Sequence, residues 1–161
     1  MKKQELTGVR YEVEVSGLLG GHSGGEIHKE RGNSNCILGR LLWKLSEKIP
    51  VGLVSADGGL ADNAIPRQTK AVVVVEEKDA ESLEQQVAAL AAELGDELAT
   101  KDPDVKVTAK RLADTAETIT CAAPEATKRV AAFLQATPNG VQAMSADMPG
   151  LVQTCLLYTS D

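Results

Sequence analysis

The stretch KAVVVVEE, residues 70–77, carries the strongest strand signal in the chain. Valine has a high β-propensity, and four consecutive valines are typical of a strand that is buried on both faces or lies in the middle of a sheet. The segment therefore predicts a strand inside a sheet, and the neighbouring segments indicate what surrounds that strand.

Three more strands and three helices are predicted around this segment. Alternating apolar and polar residues at 11–15 and 105–110 predict strands with one exposed face, and the apolar run at 51–54 predicts another strand. Apolar residues at helical spacing predict a helix over residues 34–47, capped by Asn33 or Ser34. A second helix is predicted after Asp79 and a third from Pro124, because proline is favoured in the first turn of a helix.

The order of these elements predicts an α+β fold. A β-α-β-β-α-β order is typical of the ferredoxin-like arrangement, in which a four-stranded antiparallel sheet carries two helices on one face. The helix from Pro124 is an additional C-terminal helix. The other face of the sheet must then be solvated, paired with a partner sheet or covered by this additional helix.

Composition excludes several classes of function. The 161 residues suit one domain, and a formal charge of −6 with 2% aromatic residues argues against nucleic-acid binding, which needs basic clusters and stacking surfaces. No stretch approaches the roughly 18 apolar residues of a membrane span. The three cysteines form no C-x-x-C pair, so we expect reduced thiols in a cytoplasmic protein.

The loop GLLGGHSGGEIH, residues 17–28, contains five glycines and both histidines of the chain. It matches neither phosphate-binding glycine motif, G-x-G-x-x-G or G-x-x-x-x-G-K-[ST]. A metal site through His22, Glu26 and His28 would place histidines six residues apart in a glycine-rich loop and would need further ligands. Alternatively, the loop presents His22 to a site outside this chain, where an imidazole stabilises an oxyanion. In the simplest alternative, His22 only caps a turn.

Four motifs follow one another within residues 9–154: GLLGGHSGGEIH (17–28), GNSN (32–35), DGGLADNAIPR (57–67) and LQATPNGV (134–141). Together they resemble the lid domain of bacterial aminoacyl-histidine dipeptidases. This family is also known as Xaa-His dipeptidases, peptidase D or carnosinase-like enzymes, and belongs to the two-zinc exopeptidases. GGHSGGEIH and NAIPR are specific in combination, whereas TPNG alone is a weak signal.

The resemblance implies roles for two residues. His22 corresponds to the lid histidine that is thought to reach the active site and stabilise the tetrahedral intermediate, and Asn63 to an asparagine that helps to hold the substrate. The alternative for Asn63 is a turn-forming residue before Pro66. His28 and Arg67 are expected to be surface residues. The arginine that binds the substrate carboxylate in relatives has no counterpart in residues 70–77, so we expect it downstream of this chain.

The resemblance also implies the organisation of the whole enzyme. Residues 1–154 would be the lid, or dimerisation, domain of a cytoplasmic zinc-dependent dipeptidase that forms homodimers. Zinc would be held by a catalytic domain absent from this chain, which would hold no metal or cofactor and would be inactive alone. Residues 155–161, CLLYTSD, depart from the family and are expected to be a non-native or disordered tail. The alternative function is a stand-alone ferredoxin-like module for small-ligand binding or assembly.

Overall fold

The computed structural model describes residues 3–159. The longest strand, β1 (Lys3–Ser16), connects the main sheet, because three other strands pair with it. Its C-terminal half pairs with β5 (Thr69–Val75) and β6 (Lys106–Arg111), and its N-terminal half pairs with β7 (Glu117–Ala122). Strand β3 (Gly52–Gly58) pairs with β5 and meets β7. All of these pairings are antiparallel.

The predicted α+β class is confirmed, but the four-stranded sheet was wrong: the sheet has five strands. Strand β7 was not predicted, because its only signal is the short segment ETITCA (117–122). Strand β7 forms because β1 extends back to Lys3. The backbone groups in the first half of β1 need hydrogen-bond partners that β5 does not supply, and β7 supplies them. The change of partner occurs at Gly8, where a Cβ atom would lie 2.0 Å from the Val75 carbonyl oxygen.

Three long helices accompany the sheet, as predicted: α2 (Ser34–Lys48), α3 (Ala80–Glu97) and α4 (Pro124–Ala136). Helix α2 packs on β1 and β5, α3 packs on β6, and the two helices contact each other. The additional helix α4 packs against α2 and the start of β3, where Thr127 accepts the Leu53 backbone N–H. A fourth helix in the described residues, α1 (Ser23–Glu26), is a single turn.

The core between sheet and helices is mainly aliphatic, as the scarcity of aromatic residues predicts, and includes the buried ring of Tyr11. The valines of KAVVVVEE behave as expected, since Val73, Val74 and Val75 are fully buried. Residues of β1 alternate between this core and a polar face. On that face Lys70 lies 3.5 Å from Glu12 and 3.7 Å from Glu14, so part of the sheet surface is solvated and charged.

Two small antiparallel two-stranded sheets complete the described chain. Strand β2 (Gly21–His22) pairs with β4 (Ala64–Ile65), and β8 (Gly140–Met144) pairs with β9 (Val152–Leu156). No helix within residues 3–159 is both long enough and apolar enough to span a bilayer. The ends of the predicted domain and tail, residues 1–2 and 160–161, lie outside the described residues.

Candidate functional site at the glycine–histidine loop

The β2–β4 pairing brings two of the sequence motifs together. Gly21 lies opposite Ile65 and His22 lies opposite Ala64, so GGHSGG and NAIPR form one small ladder. The backbone N–H that follows His22 donates to the Asn63 carbonyl oxygen at 2.9 Å and extends this contact by one residue. The two candidate site residues, which are distant in the sequence, are therefore neighbours on the surface of the domain.

The His22 side chain is exposed and uses one ring nitrogen locally. Its Nδ1 accepts the Gly24 backbone N–H at 3.0 Å, which caps the short helix α1. An acceptor nitrogen carries no proton, so the neutral ring that makes this bond holds its proton on Nε2. His22 thus caps a turn and also leaves an N–H donor on the outer side of the ring.

Gly24 leaves little room for a side chain beside this imidazole. A Cβ atom on Gly24 would lie 3.2 Å from His22 Cε1 and 3.3 Å from Nδ1, closer than most real contacts of a Cβ atom. A larger residue would therefore press against the ring that it now positions. The neighbouring Gly25 has open space around it, so only one glycine of this pair is needed by the histidine.

The loop is braced by charged side chains despite its glycine content. Glu26 accepts the His22 backbone N–H at 3.1 Å, and its carboxylate lies 2.8 Å from Lys29 Nζ and 3.1 Å from Arg31 Nη1. Arg31 also donates to the Gly20 carbonyl oxygen. The hydrogen bond from Lys29, followed by that from the His22 backbone, lowers the pKa of Glu26 to about 2. The carboxylate is therefore charged at neutral pH and holds the turn that carries His22.

Asp102 holds the loop through two backbone hydrogen bonds. Its side chain is fully buried, with one carboxylate oxygen 2.7 Å from the Leu19 backbone nitrogen and the other 2.6 Å from that of Gly32. One carboxylate thus connects the start of the loop with Gly32, which lies between the loop and helix α2. This role of Asp102 was not predicted from the sequence.

The remaining motifs support the loop at the start of α2. Asn33 caps this helix as predicted, because its Oδ1 accepts the backbone N–H groups of Asn35 and Cys36. Its Nδ2 donates to Asn139 of the TPNG motif and to the carbonyl oxygen of Tyr158, both at 2.9 Å. The motif that was weak by itself therefore contributes a contact to the same structural unit.

The first part of the predicted tail packs against this unit. Residues 155 and 156 belong to β9, and the backbone N–H of Tyr158 donates to Asn139 Oδ1 at 3.1 Å. The Tyr158 ring meets Phe133 edge to face, with 6.1 Å between the ring centroids. Asn139 thus accepts from both Asn33 and the Tyr158 backbone.

The other candidate residues are also exposed at the surface. His28 is exposed in the 3₁₀ turn Ile27–Lys29, and Asn63 and Arg67 are exposed on either side of β4. Within residues 3–159 no group of three or more histidine, cysteine or acidic side chains is arranged to hold a metal ion. Because the Glu26 carboxylate contacts Lys29 and Arg31, the residues of this loop do not fit a zinc site.

An open cavity of about 540 Å³ lies against the same ladder. Gly21, Ala64 and Ile65 from the ladder line one side, and the loop that follows β3 lines another. His22 and Asn63 are not lining residues but adjoin Gly21 and Ala64, which are. The ladder thus carries the exposed imidazole and one wall of a cavity of the size that small molecules occupy.

Comparison with known proteins gives a consistent result. The chain is 34% identical over 146 residues to the cytosol non-specific dipeptidase of Escherichia coli. The aligned region covers 91% of this chain and 30% of that protein. The aminoacylhistidine dipeptidase structure from Vibrio alginolyticus superimposes with a TM-score of 0.85 at 29% identity, over 96% of this chain and 33% of that one. The chain therefore spans about a third of the length of these relatives.

A more distant structure shares the fold alone. An amidase of the hydantoinase/carbamoylase family from Burkholderia phymatum matches 72% of this chain and 30% of its own, with a TM-score of 0.53 and 12% identity. The family match itself covers residues 13–102, which run from β1 through α3 to the buried Asp102. Together these findings confirm the family resemblance, and the chain belongs to the peptidase dimerisation domain family.

Proposed function

We propose that this chain is the lid, or dimerisation, domain of a zinc-dependent dipeptidase that cleaves aminoacyl-histidine or similar dipeptides, and that His22 is its contribution to the active site. The observation that carries the proposal is the exposed imidazole, whose Nδ1 is engaged by Gly24 and whose Nε2 is left to donate outward. The family membership and the dipeptidase names of two relatives support it.

In this proposal His22 acts as a hydrogen-bond donor to negative charge. When the scissile carbonyl becomes tetrahedral, its oxygen gains charge, and an N–H already aimed at that oxygen stabilises it without reorganisation. The Gly24 contact and the Glu26 brace keep the ring in place before substrate arrives. Asn63 lies directly before β4, at the end of the same ladder, and helps to hold the dipeptide.

The remaining parts of the site belong to polypeptide outside this chain. The donor groups here do not fit zinc, so the metal, which polarises the carbonyl when bound, is held by a catalytic domain of the same enzyme. We infer that the enzyme is a homodimer through the dimerisation domain and is located in the cytosol, as the name of the Escherichia coli relative says of that protein. The chain by itself is then inactive.

We also propose that the central part of residues 1–154 is ferredoxin-like and that residues 155–161 are not native to the family. The pairing of β1 with β5 and β6, and of β5 with β3, supports the ferredoxin-like order. The contacts of α2 with β1 and β5, and of α3 with β6, place both helices against this sheet. The sequence of the source gene beyond residue 154 tests the proposal about the tail.

A chimeric enzyme tests the role of His22. This chain replaces the corresponding segment of the Escherichia coli dipeptidase, and dipeptide hydrolysis is measured for the chimera and for His22→Ala. Loss of one oxyanion donor lowers kcat by about 10²–10³-fold. His28→Ala is the matched control, because His28 is the other exposed histidine of the same loop. Equal kcat for His22→Ala and the parent chimera contradicts the proposal.

Sedimentation of the 161-residue chain tests the dimer separately. We expect a dimer at micromolar concentration, and a monomer throughout the range would contradict the inference. The alternative function, a stand-alone module for small ligands or assembly, is favoured by the open cavity beside the ladder. Under that alternative His22→Ala leaves turnover of the chimera unchanged, and a saturable rise in melting temperature with one metabolite accompanies binding to the native state.

A further inference from the structure

Three large apolar side chains cluster where β8 turns into β9. Met144 ends β8, Met148 lies in the connecting segment, and Leu151 directly precedes β9. The backbone holds them close together, since the Leu151 N–H donates to the Met148 carbonyl oxygen at 3.2 Å and the Ser145 N–H donates to the Leu151 carbonyl oxygen at 2.8 Å. The three side chains, called the β8–β9 tip below, are 48%, 57% and 47% exposed.

The segment that carries the tip is almost free of charge. Residues 138–154 contain one charged side chain, Asp147, although 25% of the residues in the chain are charged. Single exposed apolar residues are ordinary on a protein surface, whereas a contiguous apolar patch marks a contact site. Contact sites are also depleted in charged residues and enriched in methionine. The composition of the tip is therefore that of a contact surface and not of a solvated turn.

The β8–β9 pair has support on one side only. Within residues 3–159 the two strands pair with each other and with no third strand, and a two-stranded sheet is marginally stable at best in water. Its base is anchored, because Asn139, just before β8, accepts a hydrogen bond from Asn33 at 2.9 Å. The tip has no such cover, since its three side chains stay about half exposed.

The pair also lies beside the glycine–histidine loop. Strand β8 contacts the 3₁₀ turn Ile27–Lys29, which follows directly on the helix that His22 caps. In the proposed function this loop meets the catalytic domain. A body that covers the tip therefore lies next to the polypeptide that receives the His22 imidazole.

The relatives separate the β8–β9 pair from the common dimerisation unit. The family match ends at residue 102, before β8 begins. The superposition with the Vibrio alginolyticus dipeptidase leaves out only 4% of the 161 residues, or about six, and so includes most of the pair. The pair is thus shared with a larger dipeptidase and lies outside the unit that defines the family.

We propose that the β8–β9 tip is a docking surface for the catalytic domain of the same enzyme, and that an apolar, uncharged face of this domain covers Met144, Met148 and Leu151. The inference rests on the proposed function, which places that domain against the neighbouring loop. Burial of the three side chains removes apolar surface from water, and the near absence of charge in the tip means that little charge is desolvated. A second copy of this chain is the competing occupant, and it would obstruct the catalytic domain beside the same loop.

Methionine oxidation tests the proposal without any substitution in the tip. The initial rates of sulfoxide formation at Met144 and Met148 in hydrogen peroxide are measured by mass spectrometry, in the 161-residue chain and in the active chimera with the Escherichia coli dipeptidase. In the isolated chain we expect rates close to those of the urea-unfolded chain, at every concentration in the micromolar range. In the chimera both rates should fall at least about tenfold, because oxidation follows exposure.

A pair of charge substitutions gives an independent readout. Leu151→Asp alters the tip, and Leu112→Asp is the matched control, because Leu112 is 40% exposed after β6. Both variants should leave the melting temperature of the isolated chain almost unchanged. In the chimera Leu151→Asp should lower the apparent melting temperature by at least about 4 °C, because a charge would enter an apolar contact, and Leu112→Asp should not.

Three outcomes would overturn the proposal: equal oxidation rates in the chain and the active chimera, equal effects of Leu151→Asp and Leu112→Asp in the chimera, or oxidation of the isolated chain that slows as its concentration rises. The last result would identify a second copy as the occupant. The active-site proposal fails separately, since it predicts the turnover of His22→Ala, and that variant of the chimera should keep both methionines protected.

Discussion

Replacement of Asp102 by alanine should strongly destabilise the domain, although no sequence signal singled out this residue. The carboxylate is fully buried and accepts two backbone N–H groups, from Leu19 at 2.7 Å and from Gly32 at 2.6 Å. These two bonds connect the start of the glycine–histidine loop with Gly32, just before helix α2. Their loss would therefore affect both folding and the placement of His22.

The magnitude follows from the two bonds. A hydrogen bond to a charged group contributes roughly 1.5–3 kcal/mol. Two such bonds are lost in Asp102→Ala, but water reaches the partly exposed Leu19 and Gly32 amides, and the cost of burying a carboxylate is also removed. We therefore expect a net loss of about 2–4 kcal/mol in the free energy of unfolding. Asp102→Asn keeps one acceptor and should lose about half as much.

Urea unfolding followed by circular dichroism provides the measurement. With an m-value of about 2 kcal/mol/M, a loss of about 3 kcal/mol lowers the midpoint by about 1.5 M. Asp104→Asn is the matched control, since Asp104 is exposed in the same segment. Hydrogen exchange of the Leu19 and Gly32 amides should accelerate in the Asp102 variants and stay unchanged in the control.

Two results would refute this reasoning. One is a loss of less than about 1 kcal/mol for Asp102→Ala, which is the scale of an ordinary surface change. The other is a large loss without faster exchange at Leu19 and Gly32, since the carboxylate would then stabilise the domain by some route other than these two bonds.

Three further predictions concern other parts of the domain. Gly39→Ala should lower the free energy of unfolding, measured in urea, by about 1–3 kcal/mol, because the new Cβ would lie 2.5 Å from Leu134 Cβ. Gly95→Ala has nothing within 4 Å of its Cβ and should raise this free energy by up to about 1 kcal/mol through helix propensity. The folded-state pKa of Glu26, about 2, lies below its ordinary value of 4.5, so its carboxylate stabilises the loop above pH 4.5. This contribution should be lost as the pH falls from 4.5 towards 2, which faster amide exchange in the loop would report and Glu26→Gln would abolish. A chain without residues 155–161 should keep its fold by circular dichroism but lose about 1–2 kcal/mol with the contacts of that segment; unchanged stability would show that these contacts contribute nothing.

Local patterns predicted the helices and four strands of the main sheet. The valine run at 72–75, the alternation at 11–15 and the apolar spacing in α2 all indicate which side of an element is apolar, and this pattern is a property of each segment's own residues. Strand β7 escaped because its pairing with the first half of β1 joins residues more than a hundred positions apart. Its six residues have no clear alternation in burial.

The candidate site was likewise predictable only in part from the sequence. His22 and Asn63 could be selected from the sequence because a glycine-rich loop with an imidazole and an asparagine before Ile-Pro is unusual in itself, and the motifs carry the family. Their adjacency could not be selected, since it depends on the β2–β4 ladder. Nor could the support from Asp102, because an aspartate before proline has the same local signature whether its carboxylate faces water or two backbone amides.

The chain's own residues thus specify the element order, the buried faces and the family, since these depend on periodicity and on motifs read over a few positions. Only the tertiary structure decides which hydrogen-bond donors meet which acceptors across the domain, such as the Leu19 amide and Asp102 or Asn33 and Asn139, and where a cavity forms beside the β2–β4 ladder. Those contacts arise when the chain folds back on itself, and a single sequence does not encode them in any local pattern.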